Sequence, residues 1–570
     1  MRQRLADAGL ADSVIVRATG SHGFCEQAPL VLVEPGGILY CHVTADDVEE
    51  IVDSTLVKGE TVERLLYADP VSGTAIAKEA DVPFYRAQDR VLLEQNKHVD
   101  PESIEDYIAI GGYSALVKAL SSMEPEYVIE EVKASGLRGR GGGGFPTGRK
   151  WEQCRAAAGD EKYVICNADE GDPGAYMDRS ILEGNPHAVL EGMVIGAHAI
   201  GSKQGYIYVR TEYPLAVDYA RLAVEQAREL GLLGDNILGT GFCFDIEIAR
   251  GAGAFVCGES TALMASLEGR VGEPRPKDVH TVESGLWDRP SNLNNVETWA
   301  NVPLIISNGA EWYSAKGTES SKGTKIFALT GRVKNTGLVE VPMGTTLQTI
   351  IYDIGGGASN GAPVKAVQTG GPSGGCLPVD KFDLPVDFDV LWEAGSMMGS
   401  GGMVVMDERT CMVDVAKYFL EFLQDESCGK CLPCRVGVDR LREIVVDIAE
   451  GRGKPEHIDI LEELSETIAA TSLCALGKTA PNPVLSTLRY FRAEYDAHIN
   501  EKRCPAGVCR SLITYDIDED TCTGCGECLA ACPHSAIEGE DGEPHRILAE
   551  PCVKCGICHD ECNFGAISVH

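Results

Sequence analysis

Ser135-Gly136-Leu137-Arg138-Gly139-Arg140-Gly141-Gly142-Gly143-Gly144-Phe145-Pro146-Thr147-Gly148-Arg149-Lys150-Trp151 is the stretch on which the reading of this chain turns. Glycine in this density offers little side-chain packing, but it lets backbone N–H groups approach a phosphate or a flat ring. Gly139, Gly141 and Gly144 satisfy G-x-G-x-x-G, a weak signal alone because glycine turns are common. The flanks strengthen it, since Arg138, Arg140, Arg149 and Lys150 set cations beside the glycines. Phe145 and Trp151 read either as covers for a ring or as core residues.

Working outward, helices are expected over 106–120, 125–135 and 214–230, and strands over 163–166 and 206–210. The strand 163–166 runs into Asn167-Ala168-Asp169-Glu170-Gly171-Asp172-Pro173-Gly174. Polar residues just past a strand end are where open α/β sheets bind ligands. A second glycine-rich passage, 251–262, leads into a helix carrying Leu263, Met264 and Leu267. Towards the N-terminus, strands are expected over 14–17, 30–33 and 38–41. A helix should follow from Ala45, capped by Thr44 with Asp46 and Asp47 in its first turn. A linker fills roughly 55–85. Past residue 323, a strand over 325–329, a turn over 330–337, a helix over 347–354 and a strand over 364–367 suit a β-grasp module. From Thr410 the pattern turns amphipathic and helical over 411–425, 436–449 and 458–471, which suits a bundle.

The cysteines are unevenly spread. Fourteen of the 22 lie after residue 427 in short spacings, which points to metal rather than disulfides. Cys522-x2-Cys525-x2-Cys528-x3-Cys532-Pro533 has the two-cluster ferredoxin spacing, and it repeats as Cys552, Cys555, Cys558 and Cys562. In that spacing the fourth cysteine of each run serves the other cluster. Cys522, Cys525, Cys528 and Cys562 should therefore hold one [4Fe–4S] cluster. Cys552, Cys555, Cys558 and Cys532 should hold the second. Cys428-x2-Cys431-x2-Cys434 is a third tight triplet, which Cys474 could complete. Cys504 and Cys509, following His498, could begin a zinc site or be two unligated thiols in a linker, and the sequence shows no fourth ligand. The eight earlier cysteines, Cys411 among them, read mostly as small buried hydrophobes.

A net charge of −36, from 50 basic and 86 acidic side chains, argues against nucleic acid and against anionic membranes. No apolar run suggests a membrane span or signal core, so a cytoplasmic protein is expected.

The long form G-L-R-G-R-G-G-G-G-F-P-T-G-x-K-W resembles the flavin and NADH loop of the NADH-oxidising subunit of respiratory complex I. It resembles more closely the beta subunits of electron-bifurcating hydrogenases and related soluble NAD-linked complexes. The resemblance implies a multidomain α/β chain. Its parts would be a partial thioredoxin-like domain (1–60), a Rossmann-like FMN/NAD(H)-binding domain (84–320), a β-grasp, soluble-ligand-binding-type module (323–405), a helical bundle with a [4Fe–4S] cluster (406–510), and a tail resembling a two-cluster ferredoxin (511–570). It implies FMN at Gly139, Arg140, Gly141, Gly142, Lys150, Asn167, Asp169, Gly258, Glu259, Asn294, Asn295 and Thr298. NAD(H) would stack near Phe145, with Glu170, Asp172 and Lys277 at its polar parts. The Cys428 words match the family's flavin-proximal cluster motif, which gives three [4Fe–4S] clusters in all. Ser21 stands where the family has a cysteine before Cys25, and the preceding pair is missing, so no [2Fe–2S] cluster is expected here. Asp172 and Ser260 replace glutamates of the complex I subunit, and His280 replaces an aromatic; the bifurcating beta subunits often share these changes.

The implied activity is hydride exchange between NAD(H) and FMN and single-electron exchange with the clusters and ferredoxin, with no catalytic side chain beyond the flavin. Implied partners are a small thioredoxin-like [2Fe–2S] subunit, a catalytic subunit and ferredoxin. The competing readings are a complex I-type subunit, against which the tail speaks, and a relay scaffold without nucleotide turnover.

Overall fold

Three short runs with β-branched and apolar residues, and a fourth that is mostly asparagine, form the frame that carries the glycine loop. Strands Tyr163–Ala168, Gln204–Arg210, Asp245–Gly251 and Ser291–Asn295 make one parallel sheet. Its order, by first residue, is 245, 204, 163, 291. All pairings are parallel, so every strand delivers its C-terminal end to the same edge. Parallel sheets need both faces covered. The helix Pro186–Ile200, buried almost throughout, and the helix Val296–Asn308 supply part of that cover. The two approach closely: a Cβ on Gly192 would lie 2.1 Å from the Trp299 carbonyl oxygen. This computed structural model describes residues 1–70, 72–276 and 278–570, in two compact units. The first comprises 1–406 with 473–476, and the second 407–472 with 477–570.

Within the first unit, a five-stranded mixed sheet follows the parallel one. Thr324–Gly331 pairs antiparallel with Gly337–Pro342 and parallel with Gly402–Asp407. Val364–Thr369 pairs antiparallel with Gly375–Pro378. The β-grasp expectation named strands over 325–329 and 364–367 but missed three others, including the hairpin partner after the 330–337 turn. The N-terminal strands form an antiparallel hairpin, Val31–Val33 with Ile38–Tyr40. The helical turn after Thr44 opens with a capping box between Thr44 and Asp47. The strand expected over 14–17 does not form; that segment is coil with Ile15 exposed, so its apolar residues have no sheet to join. The helix expected over 106–120 is broken in two, Ile104–Ala109 and Ser114–Ser122. Gly111 and Tyr113 between them have positive φ, which ends a helix.

In the second unit, helices Met412–Asp425, Leu432–Ala449, Glu456–Thr471 and Asn482–Tyr490 follow the amphipathic pattern. The tail is built from two small antiparallel strand pairs, Tyr515–Ile517 with Ile567–Val569 and Ile537–Glu538 with Arg546–Ile547. Among the described residues, no helix is long and apolar enough to cross a membrane.

Candidate functional site

At the C-terminal edge of the parallel sheet, the glycine loop lies against the start of the helix Val296–Asn308. The backbone N–H of Arg140 donates to Thr298 Oγ1 at 2.8 Å. A Cβ on Gly141 would come within 2.9 Å of Asn295 Cβ, and one on Gly144 within 2.7 Å of Phe388. Gly142 has φ +110°, so a side chain there is strained on conformation alone. Gly143 meets nothing within 4 Å, and Gly141, Gly143 and Phe145 are exposed, leaving the loop one open edge. The Arg149 guanidinium lies over the Phe145 ring.

The predicted side chains gather here but divide into two kinds of work. Several hold helix starts. Asn295 Oδ1 accepts from Thr298 N–H, and Asn295 Nδ2 donates to Asp178. Glu259 accepts from the N–H groups of Thr261 (2.8 Å) and Ala262 (3.0 Å), capping the helix Ser260–Leu267. Glu170 accepts from the N–H groups of Asp178 and Arg179 at 3.1 Å, capping Met177–Gly184. Others line up near the open edge. Asn167 Nδ2 donates to the Gly258 carbonyl at 2.9 Å, and Asn167 Oδ1 accepts from Asp169 N–H. Lys150 Nζ donates to Leu293 O at 2.8 Å and to Asn294 Oδ1 at 3.4 Å. One expectation changes, and one open alternative is decided. The Arg140 guanidinium is fully buried and donates to Arg138 O, Tyr313 Oη and Lys322 O, so it braces the loop from behind. Trp151 is fully buried beside Trp299, which makes it core rather than a ring cover. Lys277 lies outside the described residues.

Carboxylates crowd beneath the loop. Burial pushes Glu170 up to about 7, against the backbone donors that pull it down, and pushes Asp172 up to about 6. Asp178 is also pushed up, by burial and by Glu170 and Glu297. The buried Lys325–Glu297 ion pair compensates part of this charge. Sequence reading missed Asp178, Glu297, Lys325 and the segment 395–402. In that segment Ser400 Oγ donates to Asp172 Oδ2 at 2.6 Å, and Gly399 bridges to Gly142. The signal was visible as a further glycine-rich run, Gly395-Ser396-Met397-Met398-Gly399-Ser400-Gly401-Gly402.

These residues fit a flat, phosphate-bearing group. Two neighbouring helix starts are closed by their own N-cap side chains, Glu259 and Asn295, and a third by Glu170 from outside the helix. The helix Thr147–Ala156, which the glycine loop leads into, has no side-chain cap and no acidic residue in its first turn. Thr147 N–H donates to the Leu137 carbonyl at 2.9 Å, and a helix start without a capping side chain, beside Arg149 and Lys150, favours an anion through its dipole and its remaining N–H groups.

Most of the clustered cysteines belong to the second unit. One cavity there is lined by Cys522, Cys525, Cys528 and Cys562, and another by Cys532, Cys552, Cys555 and Cys558. Each fourth cysteine thus crosses to the other run. Cys431 precedes the first turn of the helix Leu432–Ala449, Cys434 lies within that turn, and Ser427 Oγ is 3.3 Å from Cys434 Sγ. Cys474, grouped with the first unit, immediately precedes the helix Ala475–Thr479.

The fourth partner of the His498 group is Cys411. The ligand atoms of Cys411, His498, Cys504 and Cys509 all lie within 4.8 Å of one another, and all four residues are buried. His498 Nε2 stands 3.4 Å from Cys411 Sγ and 3.3 Å from Cys509 Sγ. His498 Nδ1 lies 2.7 Å from the Glu494 carbonyl. That contact places the ring proton on Nδ1 and leaves Nε2 free as a ligand. Hydrogen bonds from the Cys411 and Cys509 thiols favour the thiolate at Cys504. Three sulfurs and one imidazole nitrogen are a tetrahedral zinc donor set. Cys411 is therefore a candidate ligand, not a small core hydrophobe. No spacing rule reveals it, because 87 residues separate it from His498.

Comparison with known proteins agrees with this layout. Residues 132–304 match the Nuo51 FMN-binding domain, and 414–498 match the NADH-ubiquinone oxidoreductase-F iron–sulfur binding region. Residues 326–377 match the SLBB domain, and 515–538 a 4Fe-4S binding domain. The chain is 54% identical to HndC, a subunit of the NADP-reducing hydrogenase of Solidesulfovibrio fructosivorans, over 85% of this chain and 98% of that one. It is 45% identical to an NADH-quinone oxidoreductase subunit of Rhizobium meliloti, over 73% of this chain and 99% of the relative. A crystal structure of an NAD+-reducing [NiFe]-hydrogenase in the H2-reduced state superposes with TM-score 0.65 at 30% identity, covering 88% of this chain and 81% of the other. The chain belongs to the family of FMN-binding, iron–sulfur subunits shared by NAD(P)-linked hydrogenases and complex I-like oxidoreductases.

Proposed function

We propose that this chain is the subunit through which NAD(H) exchanges electrons with a soluble, electron-bifurcating complex. FMN would be held by the glycine edge, the Thr147 helix start, Lys150, Asn167 and Asn294. FMN bound there accepts hydride as an electron pair and passes electrons on singly, which joins a two-electron nucleotide to one-electron clusters. The chain's own residues orient and shield. Gly141 and Gly142 let the backbone approach a ring closely, and the exposed Phe145 offers a stacking face. Glu170 and Asp172 meet the polar parts of NAD(H). The observation that carries this reading is the helix start at Thr147, without a capping side chain and beside Lys150, among neighbours that are capped.

Cys428, Cys431, Cys434 and Cys474 would hold the first [4Fe–4S] cluster, and the tail two more. Zinc would sit among Cys411, His498, Cys504 and Cys509 as a closed structural site. Partner subunits, including a small thioredoxin-like [2Fe–2S] protein and a catalytic subunit, would supply the other substrate, with ferredoxin as the low-potential partner. The Solidesulfovibrio relative, a subunit of an NADP-reducing hydrogenase, makes NADP(H) the second reading for the nucleotide. The test is purification of the chain under anaerobic conditions, flavin identification, and dye reduction with NADH and with NADPH. Non-covalent FMN and a preference for NADH support the proposal; FAD, or no turnover with either nucleotide, sinks it.

A further inference from the structure

The two cysteine runs of the tail are repeats 30 residues apart, and the short strands around them follow the same repeat. Seven residues before Cys522 stands Tyr515; seven before Cys552 stands His545. Each precedes one run and lines the cavity of the other. Tyr515 borders the cavity of Cys532, Cys552, Cys555 and Cys558. His545 borders the cavity of Cys522, Cys525, Cys528 and Cys562. A phenol at one cluster is thus replaced by an imidazole at the other.

The environment of His545 is unusual for a histidine. It is 3% exposed, and its Nδ1 is buried with no hydrogen-bond partner. Its ring lies close enough to Gly539 that a Cβ there would meet Cδ2 at 2.7 Å. Its backbone N–H already points to Cys522 Sγ at 3.5 Å. Buried polar groups are almost always satisfied, so an orphaned ring nitrogen beside a cavity of four thiols calls for a partner. Cluster sulfides and ligating thiolates are acceptors, and a neutral imidazole carries one N–H donor. The other cavity has no buried, unpartnered ring nitrogen among its lining residues. His534, which borders it, is exposed to water, and the Tyr515 hydroxyl lies against Gly556.

We propose that His545 donates a hydrogen bond to the cluster held by Cys522, Cys525, Cys528 and Cys562 and raises its reduction potential above that of its twin. A donor stabilises the more negative, reduced cluster more than the oxidised one. One electron enters, no bond is made or broken, and the imidazole keeps its proton. The tail then has a direction, with one cluster as the resting place for an electron and the other as the lower-potential step. The proposal rests on the reading of the tail as a two-cluster relay.

The experiment uses the full-length chain with clusters assembled, labelled with 15N-histidine and reduced. Pulsed electron paramagnetic resonance should show a nitrogen coupling to one tail cluster, absent from His545→Phe and retained in a Cys532→Ala background that disables the other cluster. In a redox titration, His545→Phe should lower the potential of that one cluster, while His545→Asn, which keeps a donor, should hold it near wild type. If the wild-type chain shows two tail cubanes but no histidine coupling, the proposal is wrong and the relay reading stands. A potential unchanged in His545→Phe at full iron content also overturns it. If the tail binds no cubanes at all, the relay reading itself fails. Should His545→Phe fail to assemble, the coupling in the wild-type chain decides alone.

Discussion

The glycine-loop site and the cysteine tail solve the same problem, holding a redox group, by opposite means. In the tail, each cavity is formed by cysteines from two runs about 30 residues apart, and the spacing alone names them. Around the loop, the walls come from segments near residues 140, 170, 258, 295 and 400, joined through strand ends and helix caps. A site specified by local spacing tolerates change in the rest of the fold. A site assembled by caps depends on several helix starts at once.

The sharpest break of that contrast is Gly142→Trp. With φ +110° and Gly399 close by, the loop has no room for the side chain. We expect flavin content and NADH–dye reduction to fall by more than about 100-fold, since the strain and the blocked edge act together. Retained dye reduction would show that the loop is not the flavin site.

Next in size is Cys532→Ala. It should cost about four irons per chain by removing one cubane, read by iron analysis. Electron exchange with ferredoxin in the assembled complex should fall steeply, and NADH–dye reduction far less. Equal losses in both assays would erase the distinction between the two regions.

Cys411→Ala should release the metal of the buried four-ligand group, measured as the loss of about one zinc per chain. It should also lower the unfolding temperature of the second unit by several degrees, the effect of losing a structural metal. An unchanged metal content would remove Cys411 from the ligand set.

A smaller effect concerns pH. Glu170 titrates at about 7 when folded, against an ordinary 4.5. Folding therefore favours its protonated form, and that contribution is complete below about 4.5 and lost as pH rises through about 7. Glu170→Gln should flatten the pH dependence of thermal stability across that window by on the order of 1–3 kcal/mol. A slope equal to wild type would mean that the backbone donors to its carboxylate outweigh burial. The smallest expected effect is Thr44→Ala at the N-terminal cap, about 1 kcal/mol by denaturant unfolding.

Sequence alone made the grouping of the tail cysteines legible, because the spacing is short and repeated and the two cavities are lined by the same two sets. It also placed the glycine loop, the strand over 163–166, which runs on to Ala168, and most of the bundle, where periodicity is long and clean. It failed where a residue's role depends on a distant partner. Cys411 looks like a core cysteine until His498 is brought to it. Arg140 looks like a phosphate ligand until Tyr313 and the Lys322 carbonyl take its guanidinium. Glu170 and Glu259 look like binding residues, and the structure shows them first as helix caps. The coil over 14–17 has strand composition but no neighbouring strand, which composition cannot reveal.

Cys411 opens the second unit, and Cys509, 98 residues later, nearly closes the helical bundle. A metal gripping both would tie the two ends of that segment together as a cross-link does. Closing a loop of about 100 residues removes roughly 4–5 kcal/mol of freedom from the unfolded chain. The four ligands would then act as a clasp on the whole bundle. Loss of the ion would be felt along the whole segment it closes, including the helix Leu432–Ala449 that carries Cys434.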